Sequence, residues 1–476
     1  MPIKNAEEYL KTLTEDRDIS IEGERVKDVA NDPRFAGAAR TMADLLEMQS
    51  DPELIDTMTY TSPTTGDKVG MTHIQPRSRE DVVARNDAIK VWMDASCGMM
   101  GRSPDYKNCI ISSYAEAKEV FKRDAFDGSE NIQNFYEHVR ENDLVTTHVL
   151  VNPQVDRSKP AHLETSEIVA QIVKETDAGI VIRGARMVAT LCAMANELLV
   201  MPAAVTWATD ETRDTTDFSF GFAIPTSTPG LKFICRPPAA QTNAPSLMDH
   251  PLSLQYDESD GMVIFDDVLV PWERVFIHRD PDFDLKVNPA SYVGHSMLMQ
   301  SVVRAHSKSE FMMALAFAIA RSTKIDQHNP VQVKLAEMIS MTEFGSWVGG
   351  MRALQCWQTF FWQMYNRQCE IITTLGAGGL VAVPSFAEVA GELKGDVEKY
   401  FQVANADSTR RIKLMRLAYD SALSSFAGRQ RLYEQYYTGD PMRTQAALFN
   451  GYDKDSHIER VWTMLDDLEK RDYQPT

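Results

Sequence analysis

Apolar residues recur at three- and four-residue spacing through much of the first 145 residues, as in NAEEYLKTL, AARTMADLLEMQ, REDVVARNDAIKVWMDAS and NFYEHVRENDL. That spacing lines one face of a helix. From residue 146 to 285 the pattern shortens into runs broken by Pro, Gly and Asp: THVLVNP, GIVIRGARMVAT, FSFGFAIP, LKFICRP and GMVIFDDVLVPWERVF. Such runs read as strands. Helical spacing returns from 286 to 476 in VRAHSKSEFMMALAFAIARST, in PVQVKLAEMISMTEF and the apolar stretch after it, and in RRIKLMRLAYDSALSSFAGRQRLYEQYY. The pattern predicts an α+β chain in three parts: a helical N-terminal domain (1–145), a central β domain (146–285) and a C-terminal helical bundle (286–476). The apolar faces of the last part are too extensive for one subunit to cover, so an oligomer is expected.

Composition narrows the function classes. Hydrophobic residues make up 43%, enough for a large core, and the net charge of −19 argues against a nucleic-acid partner. MMALAFAIA at 312–320 is about half the length of a membrane span, and MPIKNAEEYLKTL lacks the apolar core of a signal peptide. A cytoplasmic protein without a membrane partner is expected. The six cysteines (97, 109, 192, 235, 356 and 369) form no CxxC pair, so reduced thiols are expected and no metal site is read from them.

Common catalytic signatures are absent: there is no GxGxxG after a strand, no GxxxxGK[ST], no HExxH and no GxSxG. GAGGLVAVP at 376–384 reads as a loop or a helix-packing segment. More informative is GMMGRSPDYKN at 98–108, where a helical run stops and restarts. Ser103 suits an N-cap, Pro104 the first helical position and Asp105 the first turn, so the stretch is punctuation between helices. The same geometry sets Arg102 just outside a helix N-terminus and Tyr106 on its first turn, a positive setting that suits a phenolate or carboxylate. His148, in DLVTTHVLVNPQVDRS, and His295, in VGHSMLMQSVVR, are by themselves more often structural than catalytic.

GMMGRSPDYKN, THVLVNPQVDRS, ETDAGIVIRGARMVAT, HPLSLQYDESDGMVIFDDVLVPWERVF, GAGGLVAVPS and FAGRQRLYEQYYTGDP follow one another in this order. With them the chain resembles, over nearly its full length, the oxygenase components of the 4-hydroxyphenylacetate 3-monooxygenase family, reduced-flavin-dependent phenol hydroxylases. The resemblance implies an acyl-CoA dehydrogenase-like fold with a helical N-terminal domain, a central β-barrel domain and a C-terminal four-helix bundle, assembled as a homotetramer. It implies that Arg102, Tyr106 and His148 contact the phenolic hydroxyl. Gln154, Val155, Asp156 and Arg157 would run along FAD, with Thr190, Tyr437 and Gly439 as further flavin candidates by approximate alignment.

The implied chemistry suits these residue types. A phenol ionises near ~10; an arginine favours its phenolate, and a histidine can take the proton or donate to the anion. The phenolate is electron-rich at its ortho carbon and attacks a flavin C4a-hydroperoxide formed from reduced FAD and O2. No reductase domain is visible, so a separate NAD(P)H:flavin reductase would supply the reduced flavin. The loop RPPAAQTNAPSLMDHPLSLQYDE and the helix around Met297–Gln300 would shape the pocket, without naming the phenol.

Two flavoenzyme alternatives share the implied fold. A 4-hydroxybutyryl-CoA dehydratase needs three cysteines and a histidine for its iron–sulfur cluster; Cys97 and His295 stand near two of those positions, but Gly101 and Val302 stand at the others. No cluster is therefore expected. An acyl-CoA dehydrogenase leaves GRSPDY without a use, and a non-catalytic helical assembly leaves Arg102, Tyr106 and His148 without one.

Overall fold

The computed structural model describes residues 3–13, 16–153, 168–202, 216–240, 242–244, 246–283, 290–346 and 351–450, with 458, 459, 462 and 463 near the C-terminus. The N-terminal helices that frame the molecule are α1 (Ala6–Thr12), α2 (Ala36–Glu47), α3 (Arg79–Ala95), α4 (Pro104–Glu116) and α5 (Ser129–Glu141). Their starts follow local chemistry. Ser78 and Asp81 form a reciprocal capping box at the head of α3, and Pro104 occupies the first turn of α4. Every residue of α4 from Pro104 to Ala115 is buried, which marks it as a central helix rather than a surface one.

Twelve strands make three sheets among the described residues. They are β1 (Asp18–Ile21), β2 (Glu24–Val26), β3 (Thr59–Thr61), β4 (Lys68–Gly70), β5 (Thr146–Val149), β6 (Gln171–Thr176), β7 (Gly179–Thr190), β8 (Glu197–Val200), β9 (Phe220–Pro225), β10 (Leu231–Cys235), β11 (Asp260–Pro271) and β12 (Val275–His278). The larger sheet runs β2-β1-β10-β11-β7-β6, the second β12-β9-β8-β5, and β3 pairs with β4. The long antiparallel pair β7–β11 carries two register shifts, one beside Gly261 and one between Phe265 and Val268, which bend the sheet.

The expected β-barrel is corrected by this topology: both larger sheets are open among the described residues. A barrel needs its two outermost strands to pair. Here the outer strands are β2, only three residues long, and β6, bonded to β7 alone. A further departure from the mainly helical N-terminal pattern is β1, which pairs in parallel with β10 and so ties the start of the chain to the larger sheet.

The C-terminal region holds α6 (Val293–Ser322), α7 (Asn329–Ser346), α8 (Met351–Val381), α9 (Ser408–Ala422) and α10 (Ser425–Tyr436). The first four enclose a core that includes Ile319, Met338, Trp357, Phe361, Ile372 and Met415, the expected four-helix bundle. GAGGLV lies at the end of α8, where Ala377 (φ 43°) interrupts the helix, so the segment is a helix break. No helix among the described residues is long and apolar enough to cross a membrane.

Candidate active site

The site forms where α3 gives way to α4. Cys97 and Gly98 take left-handed backbone angles (φ 53° and 62°), which turn the chain back against α6. A Cβ on Gly98 would lie 2.6 Å from the Arg304 carbonyl oxygen and 2.7 Å from the Lys308 nitrogen, so only glycine fits. A Cβ on Gly101 would lie 2.6 Å from the Tyr433 ring. Two glycines thus let the break lie flat between α6 and α10 and aim Arg102 inward. Ser103 holds the N-cap position, but its hydroxyl makes no capping bond and instead donates to the Met100 carbonyl at 3.4 Å.

Arg102 is buried in a cage of tyrosines. Its guanidinium carbon lies 4.0 Å from the centre of the Tyr106 ring, 4.2 Å from that of Tyr437 and 5.5 Å from that of Tyr433. Its side-chain N–H groups donate to carbonyls, Tyr437 at 3.2 Å and Gly101 at 3.4 Å. The carboxylate beside it, Glu258, accepts from the Arg102 backbone N–H at 2.5 Å rather than from the guanidinium. Among the described residues the charged face of this buried cation meets aromatic rings and carbonyls but no carboxylate, an arrangement suited to receiving an anion.

Tyr106, Tyr437 and His148 complete the cluster. The Tyr106 ring centre is 6.0 Å from both the His148 and the Tyr437 ring centres. The Tyr437 hydroxyl has the Gly101 carbonyl at 2.7 Å and Gln300 Oε1 at 2.9 Å, and Gln300 donates in turn to Asp105 at 2.7 Å. Burial pushes the Asp105 carboxyl up to about 6. His148 stands on β5 opposite Leu199 of β8, with its Nδ1 enclosed and without a hydrogen-bond partner among the described residues. Burial, with the Arg102 cation as a neighbour, holds its imidazole well below the ordinary histidine value. It is therefore neutral at neutral pH, able to donate from one nitrogen and accept at the other.

A polar ladder supports this cluster from the sheet side. Glu258 faces Arg429 at 3.4 Å; Arg429 holds Asp260 at 3.1 Å; and Asp260 accepts from the Thr190 hydroxyl at 2.7 Å and from Arg236 at 2.8 Å. Burial alone would raise Asp260, but the guanidinium groups of Arg429 and Arg236 outweigh it and keep the carboxyl well below the usual range. From the bundle side, Glu434 takes both Arg304 Nη atoms at 2.7 and 2.6 Å and Lys308 Nζ at 2.5 Å. Burial would raise Glu434 too, yet Arg304 and Lys308 bring it to about 2.

Among the sequence-derived candidates, Arg102, Tyr106, His148 and Tyr437 come together. Thr190 lies next to them, because the Thr147 hydroxyl donates to its carbonyl at 2.7 Å. Gly439 turns the chain just after Tyr437 (φ 99°) and makes its backbone bond to Tyr436. Gln154, Val155, Asp156 and Arg157 lie outside the described residues. His295 is exposed, 5.9 Å ring to ring from Tyr292, while Val302 is buried in the bundle core. Sequence reasoning missed Lys107, Glu258, Arg304 and Glu434. Lys107 had a signal, since it adjoins Tyr106 in the same motif.

Comparison with known proteins identifies the family. The family models for the 4-hydroxyphenylacetate 3-hydroxylase N-terminal and C-terminal regions match residues 5–277 and, in two segments, 287–346 and 341–466. The chain is 38% identical to the 4-hydroxyphenylacetate 3-monooxygenase oxygenase component of Thermus thermophilus, over 96% of each chain. It is 30% identical to a 4-nitrophenol 2-monooxygenase oxygenase component from Rhodococcus, over 91% of this chain and 86% of that one. Among solved structures, an oxygenase component of 4-hydroxyphenylacetate 3-monooxygenase complexed with FAD and 4-hydroxyphenylacetate superposes with a TM-score of 0.90 at 36% identity, covering 98% of this chain and 99% of that one. A 4-hydroxybutyryl-CoA dehydratase from N. maritimus (TM-score 0.83, 18% identity, 100% and 97% covered) shares the fold. The chain belongs to the 4-hydroxyphenylacetate 3-hydroxylase family.

Proposed function

We propose that this protein is the oxygenase component of a two-component, FAD-dependent monooxygenase that hydroxylates a phenol ortho to its hydroxyl, with O2 as co-substrate and reduced FAD delivered by a separate NAD(P)H:flavin reductase. The observation that carries this reading is Arg102, a buried cation with no carboxylate on its guanidinium among the described residues, flanked by Tyr106 and His148. A phenol is neutral near pH 7 because it ionises near ~10. Beside Arg102 its anion is favoured, and the rings of Tyr106 and Tyr437 supply flat apolar walls for an aromatic guest. Neutral His148 can donate a hydrogen bond to the phenolate oxygen. The buried setting excludes water, which strengthens each of these interactions.

Bound FAD would supply the activated oxygen; the protein supplies orientation and charge. The residues present fit such a group. His148 Nδ1 and Asn152 Oδ1 are enclosed without partners among the described residues, on the segment that leads into residues 154–157. On this reading Gln154, Val155, Asp156 and Arg157 would help to hold the flavin, together with Tyr437 and Gly439. Thr190 spends its hydroxyl hydrogen on Asp260, so its oxygen is left to accept from a flavin N–H. Val333, Phe344 and Phe360, each more than half exposed on α7 and α8, support burial against further copies in a homotetramer.

The test is to mix protein loaded with reduced FAD with oxygenated buffer and 4-hydroxyphenylacetate, then quantify catechol and peroxide. The unmodified protein is expected to give catechol. Arg102→Ala is expected to lose at least a hundredfold in hydroxylation while still oxidising the flavin and releasing peroxide. Tyr106→Phe is expected to lose less, since one hydrogen bond to a charged group is worth roughly 1.5–3 kcal/mol. Normal catechol yield from Arg102→Ala would remove the arginine from the site.

A further inference from the structure

Lys107 is a charged-type side chain of the cluster that the phenol reading leaves without a task. It is fully buried, and its Nζ has no hydrogen-bond partner among the described residues. The nitrogen lies 4.5 Å from the centre of the Tyr106 ring, the same ring that Arg102 covers at 4.0 Å. An enclosed amine without a partner is costly, and more so if charged. A guest with an acidic O–H beside it offsets that cost.

The groups around Lys107 decide its form. Burial disfavours its ammonium and the Arg102 cation disfavours it further, while Glu258 and Asp105 oppose them. The outcome lies well below the ordinary lysine value. The first turn of α4, where its backbone N–H groups carry partial positive charge, adds to the same side. From other elements, His148 on β5 and Tyr437 beyond α10 face the Tyr106 ring, and His148 is itself neutral. Burial, the neighbouring Arg102 cation and an Nζ without a hydrogen-bond partner among the described residues all favour the neutral amine of Lys107 over its ammonium.

We propose that Lys107 is the proton acceptor of this site, taking the hydroxyl proton of a phenol bound beside Arg102 and Tyr106. The phenol O–H bond breaks and its electron pair stays on oxygen. The Nζ lone pair forms the new N–H bond, so an ammonium–phenolate pair replaces an amine and a phenol at constant net charge. After hydroxylation the proton returns to the catechol oxygen and Nζ is neutral again.

Intrinsic basicity favours Lys107 over His148 for this step. An amine holds its proton to about 10.4, an imidazole to about 6.5 and a phenol to about 10. In a shared environment the amine outcompetes the imidazole by about four orders of magnitude. Amine and phenol are nearly matched in water; in the site burial and Arg102 oppose the ammonium, while the attraction of the phenolate for both Arg102 and the new ammonium offsets them. His148 is left as the hydrogen-bond donor. This proposal rests on the phenol reading above and adds to it the identity of the base.

4-Nitrophenol tests it, because its phenolate is coloured and its neutral form is not. At a pH below the probe's own ionisation, difference spectra report the bound form, and calorimetry in buffers of different protonation enthalpy counts the protons released. The unmodified protein is expected to bind phenolate with no proton released, and this measurement requires no variant. Lys107→Met is expected to lose at least tenfold of the bound phenolate signal. Lys107→Arg, permanently charged, is expected to restore the colour with one proton released per probe. Bound phenolate with one proton released from the unmodified protein overturns the role of Lys107 alone. So does Lys107→Met with unchanged colour and proton count. Absence of binding to the unmodified protein overturns the phenol reading and this proposal together.

Discussion

Single residues in this protein are governed by what surrounds them more than by their type. His73 is the clearest case: it is fully buried, both ring nitrogens lack partners among the described residues, and burial, helped by Arg140 against Glu141, lowers its imidazole to about 3. The unfolded chain takes up that proton near ~6.5, so between there and about 3 the unfolded state binds more protons than the folded one. Stability is therefore expected to fall as pH drops through that window, with a contribution from His73 of at most roughly 5 kcal/mol at its lower end. Thermal unfolding of the unmodified protein and His73→Gln, followed from pH 7 to 4, checks this; parallel profiles would show that His73 carries none of the slope. No sequence pattern marks His73, since burial of a lone histidine depends on packing across elements. Arg102 and Tyr106 were legible because Gly, Ser, Pro and Asp punctuate the stretch that holds them.

Elements were legible where periodicity was long. GIVIRGARMVAT became β7 and the REDVVARNDAIKVWMDAS run became α3. β1 and β2 were not read, although DISI alternates and Glu22-Gly23 supplies two positive φ angles (53° and 82°) for a tight hairpin. Four residues in a helical neighbourhood are too few for a period to stand out. The helix break before α4 was legible as a break, but not its reason, which is the approach of α6. Gly98→Ala is expected to cost roughly 2–5 kcal/mol, from left-handed strain and the 2.6 Å clash with the Arg304 carbonyl. A melting temperature within a degree of the parent's would mean that α6 can move aside.

At the scale of the whole molecule, three separate apolar clusters meet around the site, and buried charges fasten them. α6 and α10 are joined by Arg304, Lys308 and Glu434, all buried. The sequence hid this because VRAHSKSE reads as a polar helix face; the charges face inward and answer one another across the bundle. Glu434→Gln leaves the Arg304 cation uncompensated in the interior and is expected to destabilise by roughly 3–5 kcal/mol. Denaturant unfolding measures it, and a change under 0.5 kcal/mol would show that water or a rearranged carboxylate replaces Glu434. The open sheets were beyond reach of the sequence as well, since closure depends on which outer strands meet and not on any one strand's pattern.

The bond from Arg102 to the Tyr437 carbonyl spans 335 residues of chain. At about 5–20 residues per second of synthesis, roughly 17 to 67 s separate the emergence of the arginine from that of its partner. During that interval the nascent chain carries the cation without the wall that encloses it. The site is therefore among the last features of the molecule to come into being, and a chain cut short by even its final tenth never acquires it.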